Sequence, residues 1–427
     1  MRAIRGSRGF LHGLAFILAL VVLAATRVSA AQAPASSVEF PVWSRTWVGS
    51  LGSNQVEISL NRIAQGLSGS YCYQPCRART RSQLGLLGRM RGQGAELIER
   101  DSGHGAAMTG TWQIESLKDG ITGTWISPNG QRKLALALRP IPPQDELQAR
   151  FPYEIRLVAD ALPEDDGEGC PTPPRVSAIH LYKNGELFQT LETESQGTCS
   201  IFMPVLVDAN FDGWPDLRLA QFLPAGPNIP YQTWLYDTNT NRFVDAPAGL
   251  QDISSAEFDP VHRIVYTYWR ASCCEHGVST YRWKQGDVEE VESRSSYVLP
   301  VLEGTTRRLC YITPSYGNGF IEFKSRVEQA ADGRLKLRQI DPKTCDIYDD
   351  TFLQRAYIDI WKPAPLGQRP TLLRTEEIAW KPTQTSAGKR YCPEVPFFDR
   401  GRIQRIVLRE RPELCSEKAP SQEWFSG

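Results

Sequence analysis

Short alternations of apolar and polar residues follow one another along most of the chain. Val56-Glu57-Ile58-Ser59-Leu60 and Leu134-Ala135-Leu136-Ala137-Leu138 repeat every second residue, the period of a strand with one buried face. Between Val42 and Arg139 three segments share one form: Leu67-Ser68-Gly69-Ser70-Tyr71, Met108-Thr109-Gly110-Thr111-Trp112 and Ile121-Thr122-Gly123-Thr124-Trp125. Each sets a glycine two residues before an aromatic, so the backbone can approach closely while the ring fills the taper of a small barrel. Turn signals such as Pro128-Asn129-Gly130 separate the runs. About eight short strands in series fit an up-and-down meander that closes on itself. Residues 31–140 are read as this module.

A Pro-rich stretch, residues 141–150, reads as a semi-rigid linker. Residues 151–427 return to hairpins. Val176 to Tyr182, an Asn184-Gly185 turn and Glu186 to Leu191 form the first. Tyr231 to Asp237 pairs across a polar turn with Arg242-Phe243, and Arg263 to Trp269 pairs with Val278 to Trp283. From Ser293 to Cys415 the pattern is less regular, with strand-like runs at Phe320–Val327, Arg334–Ile340 and Arg402–Arg409. The predicted fold class is all-β: a small N-terminal up-and-down β-barrel followed by a β-propeller-like domain.

One loop carries specific chemistry. Asp208-Ala209-Asn210-Phe211-Asp212-Gly213-Trp214-Pro215-Asp216 reads D-x-N-x-D-G-x-x-D. Ca2+ takes several oxygen ligands, and alternate residues of a tight loop can all turn inward. Asp208, Asn210 and Asp212 would supply side-chain oxygens, Trp214 its carbonyl, and Asp216 a ligand directly or through water. Leu219 stands where an EF-hand has its bidentate glutamate, and both flanks alternate like strands, so the expected element is a strand–loop–strand calcium hairpin. The same residues also suit an Asx-turn hairpin without metal. No second carboxylate cluster lies nearby in sequence, so the calcium would staple structure rather than hydrolyse.

The first thirty residues read as a signal peptide: Arg2, Arg5 and Arg8, an apolar run from Leu14 to Ala25, and Val28-Ser29-Ala30 for cleavage after Ala30. No membrane anchor is expected after cleavage, and the expected location is the periplasm. Removing the four arginines of this segment shifts the formal charge from zero to −4, which argues against a nucleic-acid partner. All ten cysteines follow the leader, an even number suited to an oxidising compartment. Nearest-neighbour pairing gives Cys72–Cys76, Cys170–Cys199, Cys273–Cys274, Cys310–Cys345 and Cys392–Cys415. Spacing alone fixes no connectivity, and a metal or redox role for Cys72–Cys76 or Cys273–Cys274 is the rival reading.

An enzymatic constellation is not apparent. His104, His180, His262 and His276 follow the leader, none in H-E-x-x-H, and no G-x-S-x-G elbow occurs. The expectation is a protein without catalytic residues. Among surfaces for a partner, the Ser272-Cys273-Cys274-Glu275-His276-Gly277 turn stands out: a vicinal disulfide would stiffen it and offer Glu275 and His276 outward, and pre-ordering lowers the cost of binding. A hairpin tip that binds nothing is the plainer alternative.

The run Val207 to Leu219, Trp234-Leu235-Tyr236-Asp237 with Arg242-Phe243, and Glu257-Phe258-Asp259-Pro260 ahead of Tyr281-Arg282-Trp283 together resemble a family of periplasmic immunity proteins of xanthomonads and related bacteria. Members of that family are built on a calcium-loop β-propeller and neutralise a lysozyme-like effector of an antibacterial type IV secretion system. The resemblance spans roughly residues 170 to 290 and implies Ca2+ at Asp208, Asn210, Asp212, Trp214 and Asp216. It also implies a lysozyme-like peptidoglycan hydrolase as partner. This chain departs from the pattern in its length, its N-terminal module and its cysteines. A glycan or cell-wall binding module is the alternative, and a cell-wall hydrolase the second.

Overall fold

The computed structural model describes residues 37–76, 83–101, 107–142, 145–163, 174–197, 202–345, 353 and 355–418. The leader, His104 and the Cys170–Cys199 pair lie outside the described residues. The architecture is all-β, an eight-strand closed barrel followed by further sheets.

The barrel is formed by β1 (Val38–Leu51), β2 (Asn54–Ile63), β3 (Gly66–Tyr73), β4 (Leu84–Arg91), β5 (Gly94–Arg100), β6 (Met108–Ser116), β7 (Ile121–Ile126) and β8 (Lys133–Pro140). Each pairs antiparallel with the next, and β8 returns to β1 with Gly49 opposite Leu138. Inward positions come from the period-two pattern: Trp47, Val56, Ile58, Leu60, Leu97, Trp112 and Ile121 are buried in one core. The repeated glycines act as expected. A Cβ on Gly110 would stand 2.2 Å from Trp125 Nε1, so the indole packs directly on that strand's backbone.

One inward position is polar. Glu99, 2% exposed, follows Ala95 and Leu97 on the inner face of β5. Its Oε2 accepts from Tyr71 Oη at 2.9 Å, and from Trp112 Nε1 and Trp125 Nε1 at 2.8 Å each. Oε1 accepts from Thr109 Oγ1 at 2.8 Å. The carboxylate thereby ties four strands together.

β1 does two jobs. Its C-terminal part closes the barrel, while Val38–Val42 pairs with β9 (Glu154–Ala159). From there β10 (Val176–Lys183) and β11 (Glu186–Ser195) complete a four-strand sheet, joined through Asn184 and Gly185, both at positive φ as a tight hairpin requires. A short helix, α1 (Glu146–Arg150), capped by the Asp145 side chain, occupies the end of the expected linker.

Two further antiparallel meanders follow. The first is β12 (Val205–Val207), β13 (Asp216–Ala220), β14 (Tyr231–Asp237) and β15 (Arg242–Asp245). After α2 (Ala248–Gln251) comes the second, β16 (Glu257–Asp259), β17 (Ile264–Arg270), β18 (His276–Lys284) and β19 (Asp287–Ser295). Cores lie between successive sheets, as stacked propeller blades would place them. Leu157, Ile179 and Leu181 meet Leu217, Leu219 and Trp234 in one. Ala209, Phe211, Leu250, Val265 and Val288 form the next.

Beyond Ser295 the pairing changes. β20 (Tyr297–Glu303) and β21 (Thr306–Ile312) form a hairpin, followed by the ribbon β22 (Ser315–Gly317) and β23 (Phe320–Glu322). Then come β24 (Arg326–Gln329), β25 (Leu335–Arg338), β26 (Tyr357–Lys362), β27 (Thr371–Glu377), β28 (Ala379–Thr385), β29 (Gly388–Asp399) and β30 (Arg402–Val407). β20 pairs parallel with β29, and β24 parallel with β26. The pairs β21–β20–β29–β28 and β25–β24–β26–β27 make two sheets that share a core around Tyr297, Leu299, Val327, Ile358, Ile360 and the Cys310–Cys345 disulfide. Cys72–Cys76, Cys273–Cys274 and Cys392–Cys415 are also bonded. Among the described residues no helix is long and apolar enough to cross a membrane.

Candidate functional site

The Asp208–Asp216 loop joins β12 to β13, and the pair Val207↔Asp216 closes it. Phe211 (φ 61°) and Gly213 (φ 85°) are left-handed, which turns the intervening N–H groups toward the acidic side chains. Asp216 is fully buried. Its Oδ1 accepts from the Tyr236 N–H and its Oδ2 from the Ala209 N–H, both at 2.8 Å. Burial nevertheless pushes its carboxyl up to about 7, the two N–H groups resisting and the charges of Asp212 and Asp208 adding to the rise.

The Asp208 carboxyl is raised as well, chiefly by burial, with the Gly213 N–H opposing and Asp212 reinforcing. Gly213 N–H donates to its Oδ2 at 3.1 Å, while Oδ1 is buried with no donor. Asp212 Oδ1 accepts from Trp214 N–H at 2.8 Å and its Oδ2 from Asn210 Nδ2 at 2.9 Å. Asn210 Oδ1 accepts from Asp212 N–H at 3.1 Å.

These oxygens are turned toward the loop's own N–H groups. Among the described residues no group of three or more His, Cys, Asp or Glu side chains is gathered in a metal-holding arrangement. The donor chemistry still suits a hard cation. An orphaned buried carboxylate oxygen at Asp208 and the buried carboxyl of Asp216 share one loop, and neither has a positive partner among the described residues.

Trp214 is 43% exposed. Its ring leans on Tyr236, centroids 5.6 Å apart. Arg150 of α1 donates to the Gly213 carbonyl at 2.6 Å, so the end of the linker is fastened to this loop.

The Cys273–Cys274 turn joins β17 and β18 as the sequence implied, but Glu275 and His276 do not point freely outward. Glu275 Oε2 accepts from Arg355 Nη2 at 2.7 Å. His276 is half-buried beside Tyr311, whose hydroxyl lies 3.4 Å from Nδ1 and donates to the Cys274 carbonyl at 3.2 Å. Both residues face the C-terminal sheets. These contacts have no local signal in the sequence, because they bring together residues 35 or more positions apart.

The other described histidines have carboxylate partners. His180 Nδ1 lies 3.1 Å from Glu39 Oε2. His262 Nδ1 lies 2.8 Å from Asp259 Oδ2, which also accepts from Tyr316 Oη at 2.7 Å. Tyr316 and Glu99 carry no functional signal in the sequence, and Asp259 enters only as part of the Glu257–Pro260 segment of the family resemblance. Glu99 was open to a parity argument, since it continues the inward series of Ala95 and Leu97. The Asp259–Tyr316 contact joins separate hairpins and has no local signal.

Residues 298–420 match the family model described as Domain of unknown function (DUF8339). The matched stretch, less than half of the chain, starts within β20 and ends beyond β30. It takes in the two C-terminal sheets and leaves out the barrel and the Asp208–Asp216 loop. No curated protein matches the chain.

Proposed function

We propose that this is an exported periplasmic binding protein, without catalytic activity of its own, that inhibits a lysozyme-like peptidoglycan hydrolase. In this reading the Asp208–Asp216 loop holds Ca2+ through Asp208, Asn210, Asp212, the Trp214 carbonyl and Asp216. The ion would supply a positive charge to the Asp216 and Asp208 carboxyls, which have none among the described residues. Its role is structural: it fixes the β12–β13 connection and with it the exposed Trp214.

The observation that carries the reading is the coincidence, on one short loop, of the buried Asp216 carboxyl, the half-buried Asp208 with one orphaned oxygen, and an exposed tryptophan. Trp backed by Tyr and flanked by Arg is the composition of an interface hot spot, and here Trp214 leans on Tyr236 beside Arg150. A staple beneath such a residue lowers the entropy lost on docking. The disulfides support an oxidising compartment. The family resemblance of the loop and its neighbouring hairpins supplies the partner class.

The test is a peptidoglycan-lysis assay with a panel of lysozyme-family hydrolases, adding the chain from residue 31 onward. Protection that saturates at one equivalent supports the reading. Release of product by the chain alone would establish a hydrolase instead.

A further inference from the structure

A second surface lies where the β16–β19 meander meets the β22–β23 ribbon. Five side chains run in sequence across it. His262 contacts Asp259, and Asp259 accepts from Tyr316. The Tyr316 ring stacks on Tyr266 with centroids 4.0 Å apart and planes 14° from parallel. Tyr266 lies 6.0 Å from Tyr268, which shares its side of β17 by strand alternation. Tyr268 is 47% exposed, and its hydroxyl accepts from the Tyr316 N–H at 3.0 Å.

The polar end of this strip is held in place. Asp259 Oδ1 accepts from the N–H groups of Val261 and His262, both at 3.0 Å, so the carboxylate that meets the imidazole is itself fixed. On the other side the ring lies against Gly319 (φ +80°), where a Cβ would come within 2.6 Å of His262 Cδ2. The side chain remains 40% exposed, and no described group pairs with Nε2. An imidazole clamped through Nδ1 presents Nε2 in one orientation.

We infer that this strip is a binding site for a neutral oligosaccharide of pyranose rings. A pyranose offers a flat apolar C–H face and a rim of hydroxyls. The face packs on an exposed aromatic ring such as Tyr268, whose body is apolar and whose tip is polar. The hydroxyls need donors and acceptors at the margin, which His262 Nε2 and the tyrosine hydroxyls provide. A row of rings ending in a fixed imidazole matches an extended chain of sugars better than a compact ligand.

The charges favour a neutral ligand. Arg282 donates to the His262 carbonyl, Glu257 lies 3.8 Å from Arg218 and Asp259 meets His262, so charges of both signs lie beside the strip and have partners. The side chains are already locked by hydrogen bonds and stacking, so binding orders little that is not ordered before. The inference does not depend on the inhibitory reading, since it needs no hydrolase.

The experiment is calorimetric titration of the chain from residue 31 onward with cellohexaose and, separately, chitohexaose, with no enzyme present. The expected result is saturable binding to one or both, with a Kd between roughly micromolar and millimolar. Tyr268→Ala, at a half-exposed position, should leave the circular dichroism spectrum unchanged and weaken binding about tenfold, the effect of losing one stacked ring. His262→Ala should weaken binding with a similar sign. No saturable heat with either sugar up to about 10 mM, or a Tyr268→Ala variant that binds as tightly as the parent, overturns the inference.

Discussion

Glu99 offers the sharpest quantitative test of the barrel. Its carboxylate accepts from Tyr71, Trp112, Trp125 and Thr109. Two of these donors belong to residues 2% and 0% exposed, Tyr71 and Trp112. Glu99→Ala leaves at least those two without an acceptor. Each orphaned buried donor costs about 1–3 kcal/mol, so the substitution costs roughly 2–6 kcal/mol before the cavity is counted. Glu99→Gln keeps one carbonyl oxygen in nearly the same place. It exchanges charge-assisted bonds for neutral ones and should cost about 1–2 kcal/mol.

Global unfolding of a multi-sheet chain would blur that difference, so the assay is native-state hydrogen exchange of peptides from β5, β6 and β7. At tenfold per 1.4 kcal/mol, a loss of about 4 kcal/mol accelerates exchange there about a thousandfold. The glutamine variant should show about tenfold, and peptides from β24 to β27 should be unaffected in both. If exchange in the barrel is unchanged in the alanine variant, Glu99 is not the tie that its four hydrogen bonds imply.

Three further outcomes follow from other parts of the molecule. Replacing Cys310 and Cys345 together by serine opens a loop of 35 residues' separation and should lower stability by about 2–4 kcal/mol, read as an earlier chemical-denaturation midpoint in the C-terminal sheets. Asp259 is partly desolvated, which raises its pKa, but the Tyr316 and His262 hydrogen bonds outweigh burial and hold it below the usual value. Its contribution is therefore present above the unfolded pKa near 4 and is lost as pH falls through the folded value. Tyr316→Phe should shift the acid limb of a thermal-stability profile upward in pH, and an unmoved limb would refute the assignment. For the metal loop, saturating Ca2+ at about 100 times its Kd should add about 2.7 kcal/mol to the parent's stability. In Asp212→Ala the same addition should change Tm little.

Local pattern made much of the fold legible. The alternating runs and the repeated glycine–aromatic segments specify a closed meander because each strand needs only its chain neighbour. The hairpins at Asn184-Gly185, at the Asp208–Asp216 loop and at Tyr231–Phe243 are visible for the same reason. What the pattern does not contain is pairing at a distance. Val301 lies opposite Phe398 in a parallel pair, and nothing within either segment announces the other. Nor does the segment Val38–Val42 announce its pairing with β9, more than a hundred residues further on.

The candidate sites divide along the same line. The calcium-type loop is contiguous, so its residues declare themselves together. The contacts of Glu275 and His276 are not legible in the sequence because their partners Arg355 and Tyr311 are remote in it. The tyrosine–histidine strip draws on β16, β17 and the β22–β23 ribbon, and no single stretch contains it.

The most direct test of the central claim is the turbidity loss of peptidoglycan under a lysozyme-family hydrolase, with the chain from residue 31 added in calcium and in chelator. Protection should saturate at one equivalent in calcium and weaken in chelator or in Asp212→Ala. No protection against any hydrolase tested, from folded protein shown to bind calcium, would contradict the claim.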